Sequence, residues 1–187
     1  EKSRLVFTED NPSRELTTAA QLAASARAMR DYDKKLAEET LRVAEELYEI
    51  TKDKEGVASQ KAHAAVELYL TTEKDCYKEA ILASLPVFLS NMMHIGWLLA
   101  RVVSVFSEEQ KKQIMDAVKD SAKEIEKMAE ETPYQIPYRP HIWGAGWDIQ
   151  GMAFPYYFMY KAFPDIFSRD VLFNALHFVL GCHPGSN

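Results

Sequence analysis

The sequence predicts an all-α chain built from antiparallel helical hairpins. Apolar residues recur at helical spacing over most of its length, and short breaks separate the periodic stretches, as expected for antiparallel neighbours. No convincing strand-like alternation follows residue 10. Strongly polar amphipathic segments roughly alternate with apolar ones, a pattern of eight or so helices and about four hairpins. No fixed-period solenoid repeat is present.

Residues 1–12 read as an extended lead-in ending at Pro12. The first helix is expected over 15–30, with Ser13 or Thr17 as cap and alanines allowing close helix contact. Asp33 caps a second helix reaching residue 52, with Leu36, Val43, Leu47 and Ile50 on the core-facing stripe and its glutamates mostly outside it. A third runs over 57–70. A fourth begins at a capping Asp75, and Pro86 kinks or ends it near Ser84. Residues 92–106 are apolar nearly all round and form the expected most-buried helix of the first half. Ser107 to Gln110 has the capping-box pattern, opening a polar helix to about residue 131 that carries Ile114, Val118, Ile125 and Met128. Residues 147–162 form another apolar helix, in which Pro155 needs a kink or a local start. Ser168 caps the last helix, which Gly181 stops.

Composition excludes several functions. Basic residues are interleaved with acidic ones at a net charge of −6, which argues against a nucleic-acid surface. No apolar run is long enough for a membrane span, and no secretory leader is recognisable at residues 1–15. Cys76 and Cys182 are too few for a zinc site and are expected to be buried free thiols. His63, His94 and His177 lack metal-ligand spacing, so no metal or cofactor is expected.

Chemistry concentrates from Pro133 onward, where 13 of the 21 aromatic residues, five of seven glycines and six of eight prolines fall. Aromatic rings beside Gly and Pro in a loop running into a helix offer flat faces and donors, which suit sugars. The candidate binding residues are Tyr138, Arg139, His141, Trp143 and Trp147. Trp143 and Trp147 either stack on pyranose rings or pack to fix the loop. Arg139 gives its fork of donors to sugar hydroxyls or to a structural carboxylate. His141 is a ligand contact or bonds a backbone carbonyl. Asp148 reads as a carboxylate favoured by the helix N-terminus.

The passage HIWGAGWDIQGMAFPYYFMYKAF, followed by a helix ending NALHFVLGCHPGSN, resembles the C-terminal half of family 9 glycoside hydrolases. Trp143-Gly144-Ala145-Gly146 stands for the WGSN-like loop of that family, and residues 178–184 for its YLLGxNP-like motif. The stretches LTTAAQLAASARAMRDYDKKLAEETLRVAEELYE and AHAAVELYLTTEKDCYKEA resemble its helical hairpins. Ala145-Gly146 replaces the usual Ser-Asn and His183 the usual Asn, as in a divergent branch.

The resemblance implies part of an (α/α)6 toroid, a six-hairpin fold of twelve helices, and residues 1–187 are expected to form a single helical domain that is an incomplete piece of it. It implies inverting, cellulase-like hydrolysis of a β-linked oligo- or polysaccharide, in a secreted or periplasmic enzyme. Inversion needs an acid and a base carboxyl about 6.5–9.5 Å apart. The family's DAGDH-like base motif and its late acidic glutamate are both absent from these residues, so no catalytic residue is assigned and the chain alone is expected to be inactive. Residues 92–106 and 147–162 would be inner-layer helices, and their exposure in an incomplete toroid would allow self-association. The competing readings are a helical scaffold binding a protein partner through residues 133–147, and another toroid enzyme such as a polysaccharide lyase.

Overall fold

A computed structural model describes residues 10–139 and 143–182. Among these residues there are nine α-helices, one short 3-10 turn and no strand. The chain divides into two units, Glu1–Ser84 and Leu85–Asn187.

The first unit holds α1 (Pro12–Met29), α2 (Lys34–Thr51), α3 (Ala58–Thr72) and α4 (Asp75–Ala83). The cap of α1 is Asn11, upstream of the expected Ser13 or Thr17. Its side chain accepts from the Arg14 amide at 3.0 Å, and Pro12 enters the first turn, where a missing N–H costs nothing. Asp33 caps α2 as expected, its Oδ1 accepting from the Leu36 amide. Thr51, at the end of α2, donates to Glu15 at the start of α1, so the two helices run antiparallel.

Helix α1 also packs on α3. Its buried face is Leu16, Ala19, Ala20, Ala23 and Ala26, and α3 answers with Ala62, Ala65, Val66 and Leu68. The backbones come close enough for the buried Thr71 hydroxyl to lie 2.9 Å from the Ala23 carbonyl. At the same end Arg27 donates to Glu67 Oε2 at 2.7 Å and to Thr71 Oγ1 at 2.7 Å, and Arg30 reaches the Thr71 carbonyl. The late turns of α1 and α3 therefore lie together, and the two helices run parallel.

The core stripe of α2 is shifted from the one the larger side chains mark. Ala37, Ala44, Tyr48 and Thr51 are buried, while Leu36 and Ile50 are 47% and 69% exposed. An alanine-lined partner favours small residues at the contact, which moves the seam round the helix. Tyr48 packs edge-on against Tyr77 of α4, with ring centroids 5.5 Å apart, and Tyr77 donates to Glu45. Burial, more than the nearby carboxylates, pushes the Tyr48 phenol up to about 12.

The second unit begins at α5 (Leu85–Ser90), where Pro86 occupies the first turn after α4 has ended, as the proline predicted. Helix α6 (Met92–Arg101) stops earlier than expected: Val102 leaves the helical region at φ −128°, a 3-10 turn covers Val103–Val105, and Phe106 is extended. Three valines in four residues weaken helix there, and the Ser107 cap needs an extended approach. Nor is α6 buried all round, since Met93 and His94 are exposed while Leu98, Leu99 and Ala100 are covered. The capping box of Ser107 and Gln110 opens α7 (Glu108–Glu130), which buries Ile114, Val118 and Ala122.

Helix α8 (Ala145–Ala162) begins two residues before the expected Trp147 and passes Pro155 without ending. Only one face of it is covered, by Ile149, Tyr156 and Met159. Met159 and Met92 meet at Gly96, where an added Cβ would lie 3.5 Å from Met159 Cε and 2.5 Å from Met92 Sδ. Tyr156 donates to the Ser168 carbonyl, and burial first, with Glu126 next, raises its phenol to about 12. Helix α9 (Asp170–Val179) packs on α8 through Ala175 but leaves Phe173, Leu176, Val179 and Leu180 at the surface. Ser168 accepts from the Asp170 amide near its start, and Gly181, at φ +79°, ends it.

Both cysteines are free, and both are exposed where burial was expected. No helix among the described residues is long and apolar enough to cross a membrane.

Two outcomes follow from this packing. Ala23→Leu should destabilise the chain by about 1–3 kcal/mol in urea unfolding, because the α1–α3 seam has no room for three more carbons; an unchanged midpoint would mean the seam is loose. The raised Tyr48 phenol favours the neutral form in the fold, so its contribution is complete below pH 10 and is lost as pH rises towards about 12. Ultraviolet titration should show Tyr48→Phe removing a late-ionising phenol and flattening that alkaline loss.

Candidate functional site

The segment after α7 turns back on itself within a few residues. Thr132 Oγ1 accepts from the Ile136 amide at 2.9 Å, and Gln135 adopts a left-handed φ of +53° between Pro133 and Pro137. Ile136 is thereby buried against Ile149 of α8 and Ala175 of α9, with Tyr134, Tyr138 and Phe178 packed around it. The Asn174 side chain of α9 donates to the Gln135 carbonyl. An apolar cavity of about 180 Å³ lies among Tyr134, Ile136, Tyr138, Ala145, Ile149 and Phe178.

Two polar contacts tie the next residues to helices on either side. The Tyr138 hydroxyl donates to Asp148 Oδ2 at 3.4 Å, which links the segment to the first turn of α8. Desolvation, then the Asp148 carboxylate, raises the Tyr138 phenol above its ordinary value. Arg139 donates from Nε to Glu131 Oε2 at 2.8 Å and from Nη2 to Glu131 Oε1 at 2.9 Å. Glu124 stands 3.6 Å from the same Nη2. The hydrogen bonds from Arg139, and secondarily its charge, hold the Glu131 carboxyl below the usual range.

Of the residues singled out in the sequence, Tyr138 is half-buried and Arg139 is exposed on the Glu131 fork. For Arg139 the structural carboxylate is therefore the partner observed. His141 lies outside the described residues, as does His183. Trp143 and Trp147 are 83% and 78% exposed, so neither indole is used to pack the loop. Gly144 between them has φ +95°, a left-handed conformation that lets the chain enter α8 at once. Asp148 sits in the first turn of α8, as its helix-start reading requires, and accepts from Tyr138.

Glu131 escaped the sequence reading. It is the last residue before a proline turn, eight positions ahead of its partner, and only the fold-back at Thr132 brings the two together. Phe154 and Tyr157 on α8 also went unremarked and are 60% and 45% exposed. Among the described residues no group of His, Cys, Asp or Glu is arranged to hold a metal ion.

The arrangement is two outward-facing indoles at the start of α8, whose first turn is bonded to Tyr138 of the preceding anchored segment. It can bind a ligand with flat apolar faces. The carboxylates of Asp148 and Glu131 are already engaged by Tyr138 and Arg139. The profile described as Glycosyl hydrolase family 9 matches residues 1–186 of the chain. A search among curated proteins finds none that matches it.

Proposed function

Because the chain belongs to glycoside hydrolase family 9, we propose that it is part of a secreted or periplasmic, inverting catalytic domain acting on β-linked, cellulose-type glycans, whose cleft is lined by residues 138–147. The observation that carries this reading is the exposure of Trp143 and Trp147 at the start of α8. An indole at the surface gives up apolar area to water, and the axial C–H face of a β-linked pyranose is the complementary shape. Tyr138 brings a hydroxyl to the first turn of α8 through Asp148, and His141 falls in the same run of sequence.

In this reading the chain contributes binding and orientation to hydrolysis. Holding the sugar fixed against flat rings lowers the entropic cost of the reaction and excludes water from one face. The acid that protonates the leaving oxygen and the base that activates water come from outside these 187 residues, since the family's acid and base motifs do not occur in them.

Calorimetry with a soluble β-1,4-linked glucose oligosaccharide tests the platform. Trp143→Ala and Trp147→Ala should each weaken binding by about 1 kcal/mol or more, roughly five-fold upward. Stability should move by no more than about 0.5 kcal/mol, because exposed side chains have little packing to lose. Loss of stability with unchanged affinity would return the indoles to the scaffold.

The purified chain should release no reducing sugar from β-glucan or cellulose, for want of both carboxylates. Turnover that follows the protein through purification, and disappears with it, would contradict this.

A further inference from the structure

We propose that Arg139 is a positioning residue for glycan binding, acting through its fork on Glu131 to fix the segment that carries Tyr138 and leads to the two indoles, rather than by donating to sugar. The proposal rests on the carbohydrate reading above for its effect on binding, but the fixing of the segment stands on the geometry alone.

The Nε–Nη2 edge of the guanidinium is filled by one carboxylate, with both oxygens used at 2.8 and 2.9 Å. That edge presents two parallel N–H groups, the feature that would otherwise grip a pair of neighbouring sugar hydroxyls. A carboxylate is the stronger acceptor, because the bond is assisted by charge on both partners, and neutral hydroxyls do not displace it on equal terms. Glu124, on α7 and 3.6 Å from Nη2, adds a second acidic group on the same side.

The position of the pair in the chain shows what it holds. Glu131 is the C-cap of α7, and the intervening residues make a proline-bounded turn with a left-handed Gln135. The ion pair closes this turn at its mouth. Its neighbour Tyr138 then makes the bond to Asp148 in the first turn of α8. Consecutive residues thus tether the segment to α7 on one side and to α8 on the other. Release of the Arg139 tether loosens the adjoining Tyr138, and with it the bond to Asp148 in the turn of α8 that carries Trp147.

The test is a charge-pair cycle read in two ways on the full chain. In the absence of ligand, amide hydrogen exchange at Ile136, Tyr138 and the first turn of α8 should quicken in Arg139→Gln and in Glu131→Gln alike. With the β-1,4-linked glucose oligosaccharide, each variant should bind roughly two- to five-fold more weakly, as expected for an exposed pair. The double variant should be little worse than either single one. The reversed pair, Glu131→Arg with Arg139→Glu, should recover part of both effects.

If Arg139 instead touches sugar, Glu131→Gln leaves affinity unchanged or raises it, and the reversed pair is as weak as Arg139→Gln; either result overturns the proposal. Unchanged exchange in both single variants also overturns it. Failure of Trp143→Ala and Trp147→Ala to alter binding would remove the carbohydrate reading while leaving the exchange result to judge the tether.

Discussion

How closely two helices approach is set by the smallest side chains between them, and this constraint governs the first unit of the chain. In the first unit four alanines of α1 let α3 come near enough for a threonine hydroxyl to reach a carbonyl of the neighbouring helix. That proximity brings Arg27 to Glu67 and Thr71, and it turns α2 so that alanines and Tyr48 face inward. In the second unit Gly96 lies where α6 meets Met159 of α8, and the space a Cβ would claim there is taken by Met92 of its own helix. Flexible thioethers suit such a contact because they follow an irregular surface without strain.

The candidate site is held by the helices of its own unit. Its segment has little secondary structure of its own, yet its backbone and side chains are committed at Ile136, Gln135, Tyr138 and Arg139 to α7, α8 and α9. Trp143 and Trp147 stay outward while Tyr134 and Phe178, a short distance away, stack edge to face with centroids 5.3 Å apart. The division of labour is between aromatic residues spent on the scaffold and aromatic residues left for a ligand.

Some helix boundaries marked by caps and prolines were legible in the sequence: Asp33, Ser107 with Gln110, Pro86 and Gly181 act where their chemistry places them, whereas Asp75 lies inside α4 after a Lys74 cap and α9 is capped at Arg169 instead of Ser168. Faces were less legible. The α2 stripe drawn through Leu36 and Ile50 missed because hydrophobicity marks what prefers to be buried, whereas an alanine-lined partner selects for size. Residues 92–106 read as one helix because they are uniformly apolar, a property that does not distinguish helix from a valine-rich turn. At the site, Trp143 and Trp147 were marked by composition and by the family motif. The Glu131 partner of Arg139 depended on a left-handed residue and a threonine fold-back, which sequence spacing does not express.

The thiols have a practical consequence. Cys76 lies in the first unit and Cys182 in the second, and both are exposed. The molecule therefore carries one accessible attachment point per unit without any engineering. Maleimide dyes or nitroxides on the two sulfurs would report the spacing of the halves in solution by energy transfer or dipolar spectroscopy, and replacing either cysteine with serine would supply the singly labelled control.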